Sequence, residues 1–323
     1  MESKLVDQFH FSSTVSLHSS NRWWSGDTVA VVTGANKGIG LAVVKRFAEL
    51  GLTVVLTARD EERGKKATEK LREEGLGNVR FFALDVSKAA SIKTFVSWVE
   101  TTFGGLDILV NNAGVSFNDI HENSVEFAET VIKTNFHGPK LLTESLLPLF
   151  RLSPSISRIL NISSRLGSIN VSSYYIFFIN FTFPAWINDV ILQKVRNHNI
   201  KETLQKERLS EEEIEGVVKM FLGDVKEGRW EREGWPQIWT DYSVSKLALN
   251  AYSRVLAKRF EGGRLSVNCF CPGYTQTSMT RGQGTHTPDA AGEVAVSLAL
   301  LPPHDLPTGH FFLGFGPYNQ SRL

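Results

Sequence analysis

A chain of 323 residues, 42% hydrophobic and 21% charged, is long enough for one large α/β domain with a sizeable core. Its formal net charge of +1 excludes a basic field for nucleic acid and an acidic tail. The two cysteines, Cys269 and Cys271, sit too close on one strand for a disulfide, so both read as reduced thiols of a cytoplasmic protein.

In chain order, Glu2, Lys4, Asp7, His10 and His18 interrupt any apolar signal region, and residues 1–26 read as a disordered extension. Trp23 and Trp24 mark where packing begins. From Thr28 strand and helix alternate. Thr28–Thr33 is a β-branched strand, the turn Thr33-Gly34-Ala35-Asn36-Lys37-Gly38-Ile39-Gly40 follows, and Leu41–Leu50 is a helix ended by Gly51. Strands are expected at Thr53–Ala58, Val79–Leu84, Leu106–Val110, Ser157–Ile162, Ser266–Phe270 and Thr308–Leu313. Helices are expected at 60–74, 91–103, 124–149 and 243–260. Repeated βα units imply a single doubly wound Rossmann-like domain over 27–323, with about seven parallel strands and helices on both faces.

Residues 165–241 form an insert ahead of the last long helix. Within it Ser210 and Glu213 make a capping box, and Ile214, Val217, Val218, Phe221, Leu222 and Val225 form one apolar stripe. Val171–Gln193 is different: twelve of its 23 residues are Phe, Ile, Asn or Tyr, and Asp189 is its only charge. Pro184, Asn180, Asn188 and Asp189 argue against a membrane span. Valine codons begin GT, one glutamine codon ends AG, and the enriched residues have AT-rich codons. The segment therefore reads first as a retained in-frame intron or a misplaced gene boundary, with a substrate lid and a membrane-contacting stretch as alternatives.

The chemistry lies in Tyr242-Ser243-Val244-Ser245-Lys246. On a helix, positions i and i+4 share a face about 6 Å apart, and a lysine there favours the phenolate and lowers the tyrosine pKa. The Gly turn follows a strand and opens a helix, the context in which backbone and helix start can approach a pyrophosphate.

Thr33–Gly40, Asn111-Asn112-Ala113-Gly114, Asn135, Ser163-Ser164, Tyr242 with Lys246, and Pro272-Gly273 followed by Thr277 together resemble the short-chain dehydrogenase/reductase family, from about residue 27 to the C-terminus. Asn36-Lys37-Gly38, Thr57-Ala58-Arg59-Asp60, Glu233-Gly234-Trp235-Pro236 and Leu300-Leu301-Pro302-Pro303 are similar to its monomeric carbonyl-reductase branch, in particular the plant members. The resemblance implies reversible, NADPH-dependent reduction of a ketone or aldehyde on a small apolar molecule, such as a monoterpenoid-like ketone or a quinone. Tyr242 would give the proton, Ser164 rather than Ser163 would hold the carbonyl oxygen, Lys246 would bind the nicotinamide ribose, and Asn135 would hold a water of the proton relay. Gly34, Asn36, Lys37, Gly38, Ile39, Gly40, Asp85, Val86, Asn112, Ala113, Gly114, Pro272, Gly273, Thr275 and Thr277 would line the cofactor cleft with Tyr242 and Lys246. No metal is implied.

Cofactor choice turns on charge. A carboxylate at the end of the second strand would hold both ribose hydroxyls of NAD, whereas a 2′-phosphate needs cations. Ala58 occupies that place, with Arg59 next to it and Lys37 in the Gly turn, so NADPH is expected; the competing reading makes Asp60 the ribose ligand. Ser164 and Tyr242 lie 78 positions apart, more than in the branch. The competing function is therefore a non-catalytic or impaired nucleotide-binding protein whose cleft the 171–193 segment disturbs. The amphipathic helix of the insert implies a monomer, and no partner beyond the small carbonyl substrate is expected: no nucleic acid and no stable membrane contact.

Overall fold

The computed structural model describes residues 22–117, 124–152, 157–169, 195–237, 239–304, 306–314 and 321–322. Segment 171–193, with its competing readings, lies outside the described residues, as do residues 1–21.

Seven strands run parallel: β1 (Val29–Val32), β2 (Thr53–Ala58), β3 (Val79–Ala83), β4 (Ile108–Asn111), β5 (Ser157–Ile162), β6 (Leu265–Cys271) and β7 (His310–Leu313). A short β8 (Ser321–Arg322) adds an antiparallel edge that sequence periodicity does not reveal, and the order is β3-β2-β1-β4-β5-β6-β7-β8. β1, β4, β5 and β6 are buried along their whole length, which their continuous apolar runs require of strands covered on both faces. Val31 pairs with Val55 on one side and Leu109 on the other. The order reverses between β1 and β4, and the crevice at such a point is where doubly wound sheets bind ligands.

The helices are α1 (Gly38–Glu49), α2 (Glu61–Glu73), α3 (Ala89–Phe103), α4 (Val125–Ile132), α5 (Gly138–Leu146), α6 (His198–Gln205), α7 (Glu211–Lys226), α8 (Thr240–Arg259) and α9 (Pro288–Ala299). One apolar layer joins α1 and α9 to the sheet; α3, α4, α5, α7 and α8 close the other. Helix α9 carries a start signal that strand–helix counting passes over: Thr287 accepts the Ala290 N–H, and Pro288 occupies the first turn. The helix expected over 124–149 is instead α4, a π-turn at Lys133–His137, and α5. Pro139 has no N–H to donate to the Asn135 carbonyl, so the α-helical ladder breaks at that residue.

Trp23 and Trp24, where packing is expected to begin, lie against the domain. Trp24 is buried and its indole N–H donates to Leu50 O, while Trp23 donates to Leu300 O and stacks under the Arg158 guanidinium at 3.5 Å.

The insert helix α7 starts with the expected capping box. It lies against α5 and α8, where Glu215 takes Lys140 (2.7 Å) and His137 (2.9 Å), and Glu211 takes Lys140 and Arg259 (both 3.3 Å). At its far end buried Asp224 accepts from the Arg229 guanidinium and, at 2.8 Å, from the Trp235 indole. Trp235 is itself fully buried with its ring against Phe221. The Thr240 hydroxyl then donates to Pro236 O, so Glu233-Gly234-Trp235-Pro236 delivers the chain into α8. Trp235→Ala is expected to cost about 3–5 kcal/mol of stability, read by chemical denaturation. A cost under about 1 kcal/mol would show that Trp235 does not anchor the insert.

Candidate active site

Every sequence-predicted site residue within a loop follows the C-terminal end of a parallel strand. The Gly turn leaves β1, Arg59 leaves β2, Asp85 and Val86 leave β3, Asn112–Gly114 leave β4, Ser163 and Ser164 leave β5, and Pro272–Thr277 leave β6. Asn135 comes from the π-turn, and Tyr242 and Lys246 from the first two turns of α8.

Gly34 and Gly38 have φ of +61° and +57°, which only glycine adopts without strain. A Cβ on Gly40 would come within 2.4 Å of Asn112 Nδ2, so this turn has no room for side chains. Thr33 and Asn112 brace it. The Thr33 hydroxyl oxygen accepts from the Asn112 and Ala113 amides (3.0 and 2.9 Å), and Asn112 Nδ2 donates to the carbonyls of Thr33 and Gly34. Asn112 thus shapes the cradle with its side chain. The sequence motif alone assigns Thr33 no role, although its position at the strand end is the available signal. Thr277 approaches the same turn, its methyl 3.5 Å from where a Gly38 Cβ would stand.

Asp60 caps α2: Oδ1 accepts from the Arg63 amide at 3.0 Å and the carboxylate pairs with the Arg63 side chain. Arg59 and Lys37 are exposed. Asp85 is partly buried, which raises its pKa. Hydrogen bonds from the Ser87 hydroxyl and amide, with the charges of Lys88 and Arg59, outweigh burial and hold it below the ordinary carboxylate value. The residues present therefore fit a nicotinamide dinucleotide: a side-chain-free cradle at a helix start, with two cations at its adenosine end.

Ser164 and Tyr242 are brought together, with the Ser164 side chain close enough to the phenol to favour its ionised form. Ser163 points elsewhere, donating to Asn250 Oδ1 at 2.6 Å. Lys246 is buried, donates to Ile162 O at 2.8 Å, and stands 5.6 Å from the Tyr242 ring centroid. Asn135 is fully buried. Its Oδ1 accepts from the Val115 amide, and its Nδ2 donates to Val115 O and to Ser245 Oγ, which donates in turn to Tyr242 O. The carboxamide is thus spent on fixing the β4 loop and α8.

The expected lowering of the tyrosine pKa is not found. Burial of the phenol pushes it above its ordinary range, the neighbouring Cys271 sulfur adds to this, and the Ser164 hydroxyl offsets only part. Burial also draws the Lys246 ammonium down to about 8, so the lysine is a weaker source of positive field than an exposed one. Cys269 and Cys271 are free and buried beneath the pair.

A parallel sheet whose strand ends gather a glycine cradle and a Ser–Tyr–Lys cluster defines a Rossmann-type, dinucleotide-dependent oxidoreductase. The family model described as short chain dehydrogenase matches residues 28–176 and 232–287. The chain is 37% identical to (+)-neomenthol dehydrogenase of Arabidopsis thaliana, over 88% of this chain and 95% of that protein. It is 36% identical to carbonyl reductase [NADPH] 1 of Mus musculus, over 89% and 96%. Among solved structures, salutaridine reductase from Papaver somniferum superposes with a TM-score of 0.74 at 37% identity, covering 88% of this chain and 99% of that one. The chain belongs to the short-chain dehydrogenase family, whose members use nicotinamide cofactors.

Proposed function

We propose that this chain is an NADPH-dependent reductase of ketones or aldehydes on small apolar molecules, with a monoterpenoid-like ketone or a quinone as substrate. The observation that carries the reading is the meeting of Ser164 with Tyr242, with Lys246 beside the phenol ring and the glycine cradle alongside. The similarity to (+)-neomenthol dehydrogenase and to an NADPH carbonyl reductase supports the substrate class and the cofactor.

Gly34, Asn36, Lys37, Gly38, Ile39 and Gly40 hold the cofactor's phosphates, with Arg59 and Lys37 on the 2′-phosphate. Asp85, Val86, Ala113 and Gly114 flank the adenosine half, and Pro272, Gly273, Thr275 and Thr277 the nicotinamide half. When bound, the cofactor supplies hydride to the carbonyl carbon. Ser164 donates a hydrogen bond to the carbonyl oxygen, and Tyr242 gives the proton as that oxygen becomes an alcohol. A phenol whose pKa is raised keeps its proton through the neutral range, which suits an acid; oxidation of the alcohol needs the phenolate and is favoured by alkali. Lys246 holds the ribose, and Asn135, whose carboxamide is committed to Val115 and Ser245, keeps a relay water at the π-turn through its backbone carbonyl.

No observation favours the non-catalytic alternative. Ser164 reaches Tyr242 despite the long stretch between them. No helix among the described residues is long and apolar enough to cross a membrane. We read the chain as a monomer because α7 covers the α5–α8 face, and the free thiols of Cys269 and Cys271 agree with the expected cytoplasmic location.

NADPH consumption with menthone and a panel of quinones tests the reading. Steady turnover with at least one carbonyl is expected. No turnover with any of them, by the full chain or by one lacking 171–193, would defeat it.

A further inference from the structure

Asn250 lies one turn beyond Lys246 on α8, is 8% exposed, and has no place in the chemistry just described. Both ends of its carboxamide are used on the turn that carries Ser164. Its Oδ1 accepts from Ser163 Oγ at 2.6 Å, and its Nδ2 donates to Gly167 O at 2.9 Å. The two contacts bracket Ser164 from one side and the other. Within the bracket the turn is rigid: Ser164 Oγ accepts from the Leu166 amide at 3.2 Å, and Gly167 N–H donates to Ser164 O at 3.0 Å. The turn also lies directly on the helix backbone. A Cβ on Gly167 would stand 2.4 Å from the Lys246 carbonyl carbon and 2.6 Å from Leu247 N.

We propose that Asn250 is a positioning residue for carbonyl reduction, fixing the Ser164 hydroxyl against the Tyr242 phenol by tying both ends of the Ser163–Gly167 turn to α8. The inference rests on the reading of Ser164 and Tyr242 under Proposed function. One helix then sets the spacing of three reacting groups: it bears Tyr242 and Lys246, and through Asn250 it holds Ser164. The length of chain between Ser164 and Tyr242 becomes irrelevant to their separation. Ser163 likewise acquires a role, as the donor that closes one side of the bracket.

The test is a double-mutant cycle on the reductase activity, with NADPH binding followed by fluorescence titration. Asn250→Ala should lower kcat/KM about tenfold or more beside native Ser164, because misplacing a reacting group by a fraction of an ångström has effects of that order. In a Ser164→Ala background the same change should cost less than about twofold, since the group it positions is already gone. NADPH affinity should not move in either background. Asn250→Asp retains volume and the acceptor for Ser163 but sets an oxygen against the Gly167 carbonyl. It should show the same dependence on background, and it serves if the alanine variant does not fold. Equal losses in both backgrounds, or unchanged kcat/KM beside native Ser164, would overturn the inference while leaving the function standing. If Ser164→Ala keeps full turnover, the role of Ser164 fails and the inference with it. Absence of any turnover by the native chain would overturn the functional reading itself.

Discussion

Tyr242→Phe should reduce turnover by roughly 10²- to 10⁴-fold, the span that a positioned proton donor supplies. The phenylalanine ring keeps the shape of the side chain and its distance from Lys246, so NADPH binding should remain close to that of the native protein. The pH profile sharpens the test. Lys246, drawn down to about 8 by burial, loses its charge as pH rises through that value, and reduction should decline there. Below it both the ammonium and the phenol keep their protons, so the rate should be flat through neutrality. Turnover retained by Tyr242→Phe would transfer the acid role to another group; a profile still rising above pH 8 would remove Lys246 from the essential protonation state.

The second large effect is expected in cofactor choice. Arg59→Glu replaces a cation with a carboxylate at the end of β2, where Ala58 leaves space. A charge-assisted contact to phosphate contributes about 1.5–3 kcal/mol. Its loss corresponds to roughly a 10- to 100-fold rise in KM for NADPH, and the new carboxylate adds repulsion. KM for NADH should fall or stay level. Asp60→Ala is the control: since Asp60 caps α2, it should cost about 1 kcal/mol of stability without altering the preference. A preference that follows Asp60 instead would make it the ribose ligand and restore NAD.

Much of this was legible in the residues, for identifiable reasons. Continuous apolar runs bounded by glycine, such as Thr53–Ala58 after Gly51, fix their own boundaries, because both faces of a parallel strand are buried. The Ser210–Glu213 box and the stripe after it likewise define α7 without tertiary context. The break in the helix around Asn135 is different. Pro139 announces it four residues ahead, yet amphipathic spacing runs through the interruption and conceals it. The tyrosine's pKa escapes the sequence for a physical reason: spacing gives a distance to Lys246 but not the desolvation that both groups suffer. The choice between Ser163 and Ser164 could be stated from sequence, but only the fold places Asn250 beside one and the phenol beside the other.

The ion pairs that bind α7 to α5 and α8 carry a further consequence. Lys140 and Arg259 are already paired from within the chain by Glu211 and Glu215, and His137 is hydrogen-bonded to Glu215. A second copy approaching this face would have to break those pairs before making its own, so on the proposed monomeric reading the insert takes the place of a neighbouring subunit. Specific activity should then be the same at every dilution of the enzyme.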